Sequence, residues 1–290
     1  RLLAAARARG LPAAVMTFEP HPREFFAPDQ APARLTALRD KAERLRALGV
    51  DRLYVCRFDA AFSSQAPEAF VRDVLGHRLD VRWLLVGDDF RFGAKRAGDL
   101  ELLQRMAAGT GMTVESMHTV SVGGRRASST AVREALAAGG LPAAAELLGR
   151  PYGISGRVVG GDRIGRELGF PTANVRMRLN RPPLFGICAV EVHGIADRPW
   201  PGAASLGVRP TVTDANRPTL EVFLLDFQGD VYGRRVRVDF LHKLRDEARY
   251  DTLEALKRQI ARDVDDTRDF FRARAAAPTY SSHVSTTASP

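Results

Sequence analysis

The residues best suited to phosphate and metal chemistry crowd into one stretch, GRVVGGDRIGRELGFPTAN over 156–174. Its glycines at 156, 160, 161, 165 and 169 let main-chain N–H groups approach a polyphosphate closely, and Arg163 and Arg166 add charge-assisted donors. The spacing is neither the strand-to-helix dinucleotide fingerprint nor a Walker loop, because no Gly-Lys-Ser/Thr follows. A plain run of turns is the alternative on composition alone. If 172–174 is extended, Thr172 and Asn174 point to one side and present a hydroxyl and an amide oxygen. Hard oxygen donors of this kind suit Mg²⁺, which takes the rest of its shell from water and phosphates. A polar turn capped by its own side chains is the alternative, and the commoner reading of such residues taken alone. Downstream, in TLEVFLLDF, Glu221 shares a strand face with Phe223 and Leu225. A carboxylate so placed is desolvated, paired or functional, unless the strand is an edge open to water.

Three further clusters lie in the first half. EPHP sets His21 just past the carboxyl end of a strand, where parallel α/β sheets bind ligands. VGDDFRFG leaves another strand end with Asp88, Asp89 and Arg91 between aromatics. SSTAVREAL opens a helix with Ser129 and Thr130, followed by Arg133, an anion-binding arrangement. Each alone also reads as a cap or a loop.

The elements that must position these groups change character midway. Before residue 150, strands near 12–18, 51–58, 81–87 and 112–120 alternate with helices near 36–48, 67–76, 99–108, 129–138 and 142–148. That alternation predicts βαβ units and a Rossmann-like parallel sheet. After Gly149-Arg150-Pro151, short strands separated by Gly, Pro, Asn and Asp predict a small antiparallel barrel, with Val236, Val238 and Phe240 alternating against Arg235, Arg237 and Asp239. A helix over about 252–271 then carries Leu253, Leu256, Ile260, Val264 and Phe271 on one stripe. The expected domains are 1–150 and 151–274, with a small, polar and disordered tail over 275–290. The opening RLLAAARARG reads as the back half of a helix already under way, so the first domain is expected to be incomplete at its N-terminus.

Composition limits the classes. The net charge of +9 is spread over both halves, with no basic arm and no aromatic–basic stripe. This suits anionic small molecules and counts against a nucleic-acid-binding or regulatory protein. Two cysteines exclude a disulfide framework. No apolar run approaches a span of ~18 residues and no signal peptide opens the chain, so the expectation is a cytoplasmic protein without membrane partners.

TFEPHPREFF, VGDDFRFG, SSTAVREAL, LLGRPYGISGRVVGGDRIGRELGFPTANV, GVRPTV, LEVFLLDF and FLHKLRDE, in this order over about 12–272, closely resemble the bacterial bifunctional riboflavin kinase/FMN adenylyltransferase family. The resemblance implies a nucleotidylyltransferase domain followed by a riboflavin kinase barrel. It implies that MgATP phosphorylates riboflavin to FMN, and that a second ATP adenylylates FMN to FAD. Carried over by motif, Gly161 and Arg166 belong to the kinase ATP loop, and Thr172 and Asn174 contact Mg²⁺ and the phosphates. Glu221 is the general base and Arg245 lies near the flavin. His21, Asp88, Arg91, Ser129, Thr130 and Arg133 match the nucleotide-binding motifs of the adenylyltransferase. The sequence departs from the family in lacking the His-x-Gly-His of the opening strand, so FMN with little FAD is the product expected of these 290 residues. A monofunctional kinase carrying an inactive first domain is the alternative. In the barrel, Cys188 and Ser205 stand where tyrosine and asparagine are usual in the family.

Overall fold

The computed structural model describes residues 1–161, 169–208 and 218–276. Contacts divide the chain into two compact units, Arg1–Ala127 and Ser128 onward. Residues 128–150, on the near side of the composition change, are thus grouped with the barrel. The reason is packing: α7 (Ser129–Ala137) and α8 (Leu141–Leu148) lie on each other, and α8 lies on barrel strands.

The first unit opens with α1 (Leu2–Ala8), then β1 (Ala14–Glu19), α2 (Pro22–Phe26), α3 (Leu38–Ala47) and β2 (Arg52–Arg57). β1 and β2 pair in parallel from Ala14↔Arg52 to Glu19↔Arg57. After α4 (Ala60–Ser63), α5 (Pro67–Ala69) winds on helically to Arg78, slightly past the expected end near 76. β3 (Trp83–Gly87), α6 (Leu100–Ala107) and β4 (Thr113–Met117) complete the alternation, β3 and β4 also being parallel. The sheet therefore consists of two parallel pairs that are not hydrogen-bonded to each other. A cavity of about 470 Å³ separates them, walled by β1 residues such as Val15 and Met16 and by Trp83–Gly87. Phe70, Val71, Leu75, Phe92 and Leu103 form the buried core. A minor antiparallel ladder, β5 (Ser121–Val122) with β6 (Arg125–Arg126), ends the unit.

The second unit is a closed barrel. β7 (Tyr152–Val159), β8 (Thr172–Arg176), β9 (Gly186–His193), β10 (Trp200–Val208), β11 (Pro218–Leu224) and β12 (Arg235–Arg245) close in the order β10-β11-β8-β7-β12-β9, every pair antiparallel. Closure leaves no sheet edge, so β11 is not the water-exposed edge strand that its carboxylate allowed. Val236, Val238 and Phe240 face inward as the alternation predicts, with Ile154, Leu206, Leu220 and Val222. On the outer face Asp239 is nonetheless buried, because the Arg237 guanidinium and His193 Nε2 (3.0 Å) cover it. Cys188 is a fully buried core residue whose thiol is pushed up to about 12 by burial.

α9 (Leu253–Ala276) closes the described chain. Its buried face holds Asp263, Val264 and Thr267, while Leu253, placed on the stripe by periodicity, is 63% exposed. The expected tail lies almost wholly outside the described residues.

Candidate functional site

The barrel site is built on two paired strands. β8 and β11 register Asn174 against Glu221 and Thr172 against Phe223, so these four side chains share one face. Leu220 and Val222, alternating with them, fill the core at 1% exposure each. Glu221 thus projects from the barrel wall, half-buried, on the face opposite the core. Thr172 Oγ1 donates to Glu221 Oε2 at 3.3 Å. Asn174 lies against Gly161, where an added Cβ would come 2.3 Å from its amide nitrogen. A glycine is required here by close approach, not by backbone angle. Strand pairing therefore puts Gly161, Thr172, Asn174 and Glu221 together. Arg163, Gly165 and Arg166, the other donors of that loop, lie outside the described residues.

Glu247 closes the FLHKLRDE motif with no role assigned to it from sequence, yet the fold brings it to the same place. It follows β12 in sequence and reaches back across β10, its Oε1 3.5 Å from Ser205 Oγ. Ser205 is the cross-strand partner of Glu221. The room is made by Gly207, where a Cβ would overlap the Glu247 carboxylate at 1.7 Å. Burial pushes the Glu247 carboxyl up, opposed by hydrogen bonds from the Val208 N–H and Ser205, and the nearby Glu221 charge adds to the rise. Only the folded contact, not spacing, makes this pair of acids visible.

Arg245, which the resemblance places near the flavin, is anchored by an acid on α9. Its guanidinium donates to both oxygens of Asp263 at 2.7 and 2.6 Å and to the Asp246 carbonyl at 2.9 Å, and it lies 5.9 Å from the Tyr250 ring. Asp263 raises its pKa further. The fork ties α9 to the end of β12.

In the first unit the predicted residues each have local partners or a defined place. His21 caps α2, its Nδ1 accepting from the Arg23 N–H at 3.2 Å while Glu24 accepts from its backbone. Asp88 is an exposed turn residue after β3. Arg91 pairs with Asp99 at 3.0 Å, and Asp99 also caps α6. Arg34 grips Glu19 at 2.9 and 2.6 Å together with both oxygens of Glu24, holding α2 to the end of β1. Lys41 Nζ donates to Thr17 Oγ1 at 2.7 Å, and burial lowers its pKa. Ser129, Thr130 and Arg133 stand on the first turns of α7, in the second unit, where the capping side chain is Ser128.

What motif reading missed in this unit is a cavity of about 620 Å³ walled by aromatics. Phe18, Phe26, Phe58, Phe62, Phe70, Phe90 and Phe92 all line it. Their rings meet edge-on or tilted at 5.5–6.1 Å, apart from the stacked pair Phe90 and Phe92. Phe26 is 67% exposed at the rim. The signal was present as TFEPHPREFF and DDFRFG, but only folding brings those motifs to one wall.

Among the described residues no cluster of three or more His, Cys, Asp or Glu forms a metal cage, and no helix is long and apolar enough to cross a membrane.

Comparison with known proteins also divides the chain in two. Residues 1–131 match the profile of the FAD synthetase family and residues 148–271 that of riboflavin kinase. The chain is similar to the bifunctional riboflavin kinase/FMN adenylyltransferase of Escherichia coli K12, 51% identical over 265 residues, covering 91% of this chain and 84% of that protein. The proteins of the same name from Pseudomonas fluorescens (49% over 255 residues, 88% and 81%) and Haemophilus influenzae (42% over 263 residues, 91% and 85%) are also similar. A crystal structure described as a macrolide-efflux protein from Streptococcus pneumoniae superposes with a TM-score of 0.74 at 28% identity, covering 92% of this chain and 86% of that one.

Proposed function

Because the chain belongs to the bifunctional riboflavin kinase/FMN adenylyltransferase family, we propose that its barrel face phosphorylates riboflavin and that its aromatic cavity receives the FMN so made. The observation that carries the kinase assignment is the shared face of Thr172, Asn174 and Glu221 over Gly161. Phosphoryl transfer asks little covalent chemistry of a protein. It needs a cradle for the phosphates, charge neutralisation and one acceptor for the hydroxyl proton. Glu221 is that acceptor. As the terminal ribityl oxygen bonds to the γ-phosphorus and the bond to ADP breaks, the proton passes to its carboxylate. The Thr172 hydroxyl, donating across 3.3 Å, fixes the carboxylate before substrate arrives.

Mg²⁺ fits the donors present. A hydroxyl, an amide oxygen and a carboxylate on one face are hard ligands, too few for a full shell, as suits an ion completed by phosphates and water. Thr172 and Asn174 would hold it, and when bound it neutralises charge on the transferring phosphate.

For the second activity, a phosphate oxygen of FMN bonds to the α-phosphorus of a second ATP and pyrophosphate leaves. The aromatic walls suit an isoalloxazine ring, which offers a flat, polarisable face to stack on. The matches to both families favour this reading over a monofunctional kinase. The test is to separate products from riboflavin, ATP and Mg²⁺ by chromatography. FMN alone from riboflavin, with no FAD from added FMN, would restrict the chain to the kinase step, and no FMN would overturn the barrel assignment.

A further inference from the structure

The aromatic cavity is also strongly one-signed. Arg23, Arg91, Lys95 and Arg96 line it, with no aspartate or glutamate among its walls. Arg91 is neutralised by Asp99, but Arg23, Lys95 and Arg96 have no ion pair among the described residues. Three uncompensated cations around an apolar slot favour an anion. The backbone supports the same conclusion. Lys95 and Arg96 both adopt left-handed angles, φ 54° and 59°, which side-chain-bearing residues rarely adopt. The loop that carries them is pinned. Phe92 and Gly98 exchange backbone hydrogen bonds at 3.0 and 2.9 Å, and the Ala94 N–H donates to the Gln65 carbonyl at 2.8 Å. Strain held this firmly, at a cavity wall, belongs with ligand positioning.

We propose that Lys95 and Arg96 are the phosphate-reading residues of this cavity, selecting the phosphomonoester of the flavin over the unphosphorylated flavin. The inference rests on the assignment of the cavity to FMN. Its consequence is an ordering of the two reactions: riboflavin offers the ring but no charge, so it does not occupy this site ahead of the kinase step. The two residues contact the ligand phosphate and take no part in bond-making.

The test is calorimetric titration of the whole chain with FMN, riboflavin or ATP, at low and at physiological salt. The variants are Lys95→Gln/Arg96→Gln, Arg96→Lys and, as a marker of the ring wall, Phe26→Ala. All three residues are exposed, so folding is spared. Phe26→Ala identifies the binding component that belongs to this cavity. In that component the double glutamine variant is expected to lose about tenfold or more in FMN affinity, together with most of its salt dependence. Riboflavin binding and the KM of the kinase for riboflavin should not change, and Arg96→Lys should keep most of the affinity. Equal losses for FMN and riboflavin, or a loss for ATP alone, would overturn the proposal. If Phe26→Ala weakens flavin binding while the double variant does not, phosphate reading fails and the FMN cavity stands. If Phe26→Ala changes no flavin binding, the cavity assignment itself fails and phosphate reading fails with it.

Discussion

The amide of Asn174 rests on the backbone of Gly161, with no room between them for a methyl group. β8 and the end of the glycine-bearing segment after β7 are thereby locked into one surface. Gly161→Ala is expected to swing Asn174 off that surface. Displacing one positioning group by about an ångström costs on the order of 10–10²-fold in rate. Steady-state FMN formation should show the loss chiefly in the kcat/KM for ATP, with the melting temperature little changed. An unaltered ATP dependence would mean that Asn174 does not contact nucleotide.

Glu221→Gln preserves shape and removes the proton acceptor. General-base catalysis is worth roughly 10²–10⁴-fold, and kcat for riboflavin phosphorylation should fall within that range while the KM for riboflavin moves little. Thr172→Ala, which removes the hydroxyl 3.3 Å from the carboxylate, should cost less in kcat and also weaken ATP binding. A Glu221→Gln enzyme working at the parental rate contradicts the base assignment.

Arg245 and Asp263 should respond unequally to truncation. The Asp263 side chain is 6% exposed and that of Arg245 is 24%. Removing Arg245 strands a buried carboxylate with Gln259 as its remaining side-chain donor, and stranding a buried charge costs about 3–5 kcal/mol. Asp263→Ala leaves a guanidinium that still reaches water, so its cost should be smaller. Denaturant unfolding of the two variants measures the asymmetry. Arg245→Lys adds a second readout: raised riboflavin KM without lost stability would show that this residue contacts flavin directly.

The Arg34–Glu24–Glu19 cluster predicts acid sensitivity in the first unit. Hydrogen bonding to Arg34 holds the Glu24 carboxyl below its ordinary 4.5. A depressed folded-state pKa contributes stability that is present above the unfolded value and lost as pH falls through the folded one. Stability should therefore decline below about pH 4.5, and Glu24→Gln should flatten that decline. Unfolding followed at neutral pH and at pH 3–4 distinguishes the two chains. An identical acid slope in both would remove Glu24 as its source.

The sequence by itself determined the two architectures and most of the face proposed for the kinase. Period-2 alternation in RRVRVDFL required one face of β12 to be buried, and the extended PTAN segment placed Thr172 and Asn174 on one side. These are short-range facts, fixed by where successive Cβ atoms point. Strand register was not of that kind. Nothing within TLEVFLLDF announces that Glu221 will face Asn174, or that β11 lies inside a closed barrel. Arg245 shows the same limit, since nothing local announces that Asp263, eighteen residues on and about three turns into α9, grips its fork. Likewise Glu247 meets Ser205 across 42 residues, and seven phenylalanines from scattered segments meet in one wall. Such groups are assembled by side-chain packing between distant segments, whose energies depend on complementary shape and on burial that no local window contains. Tertiary structure alone decided them.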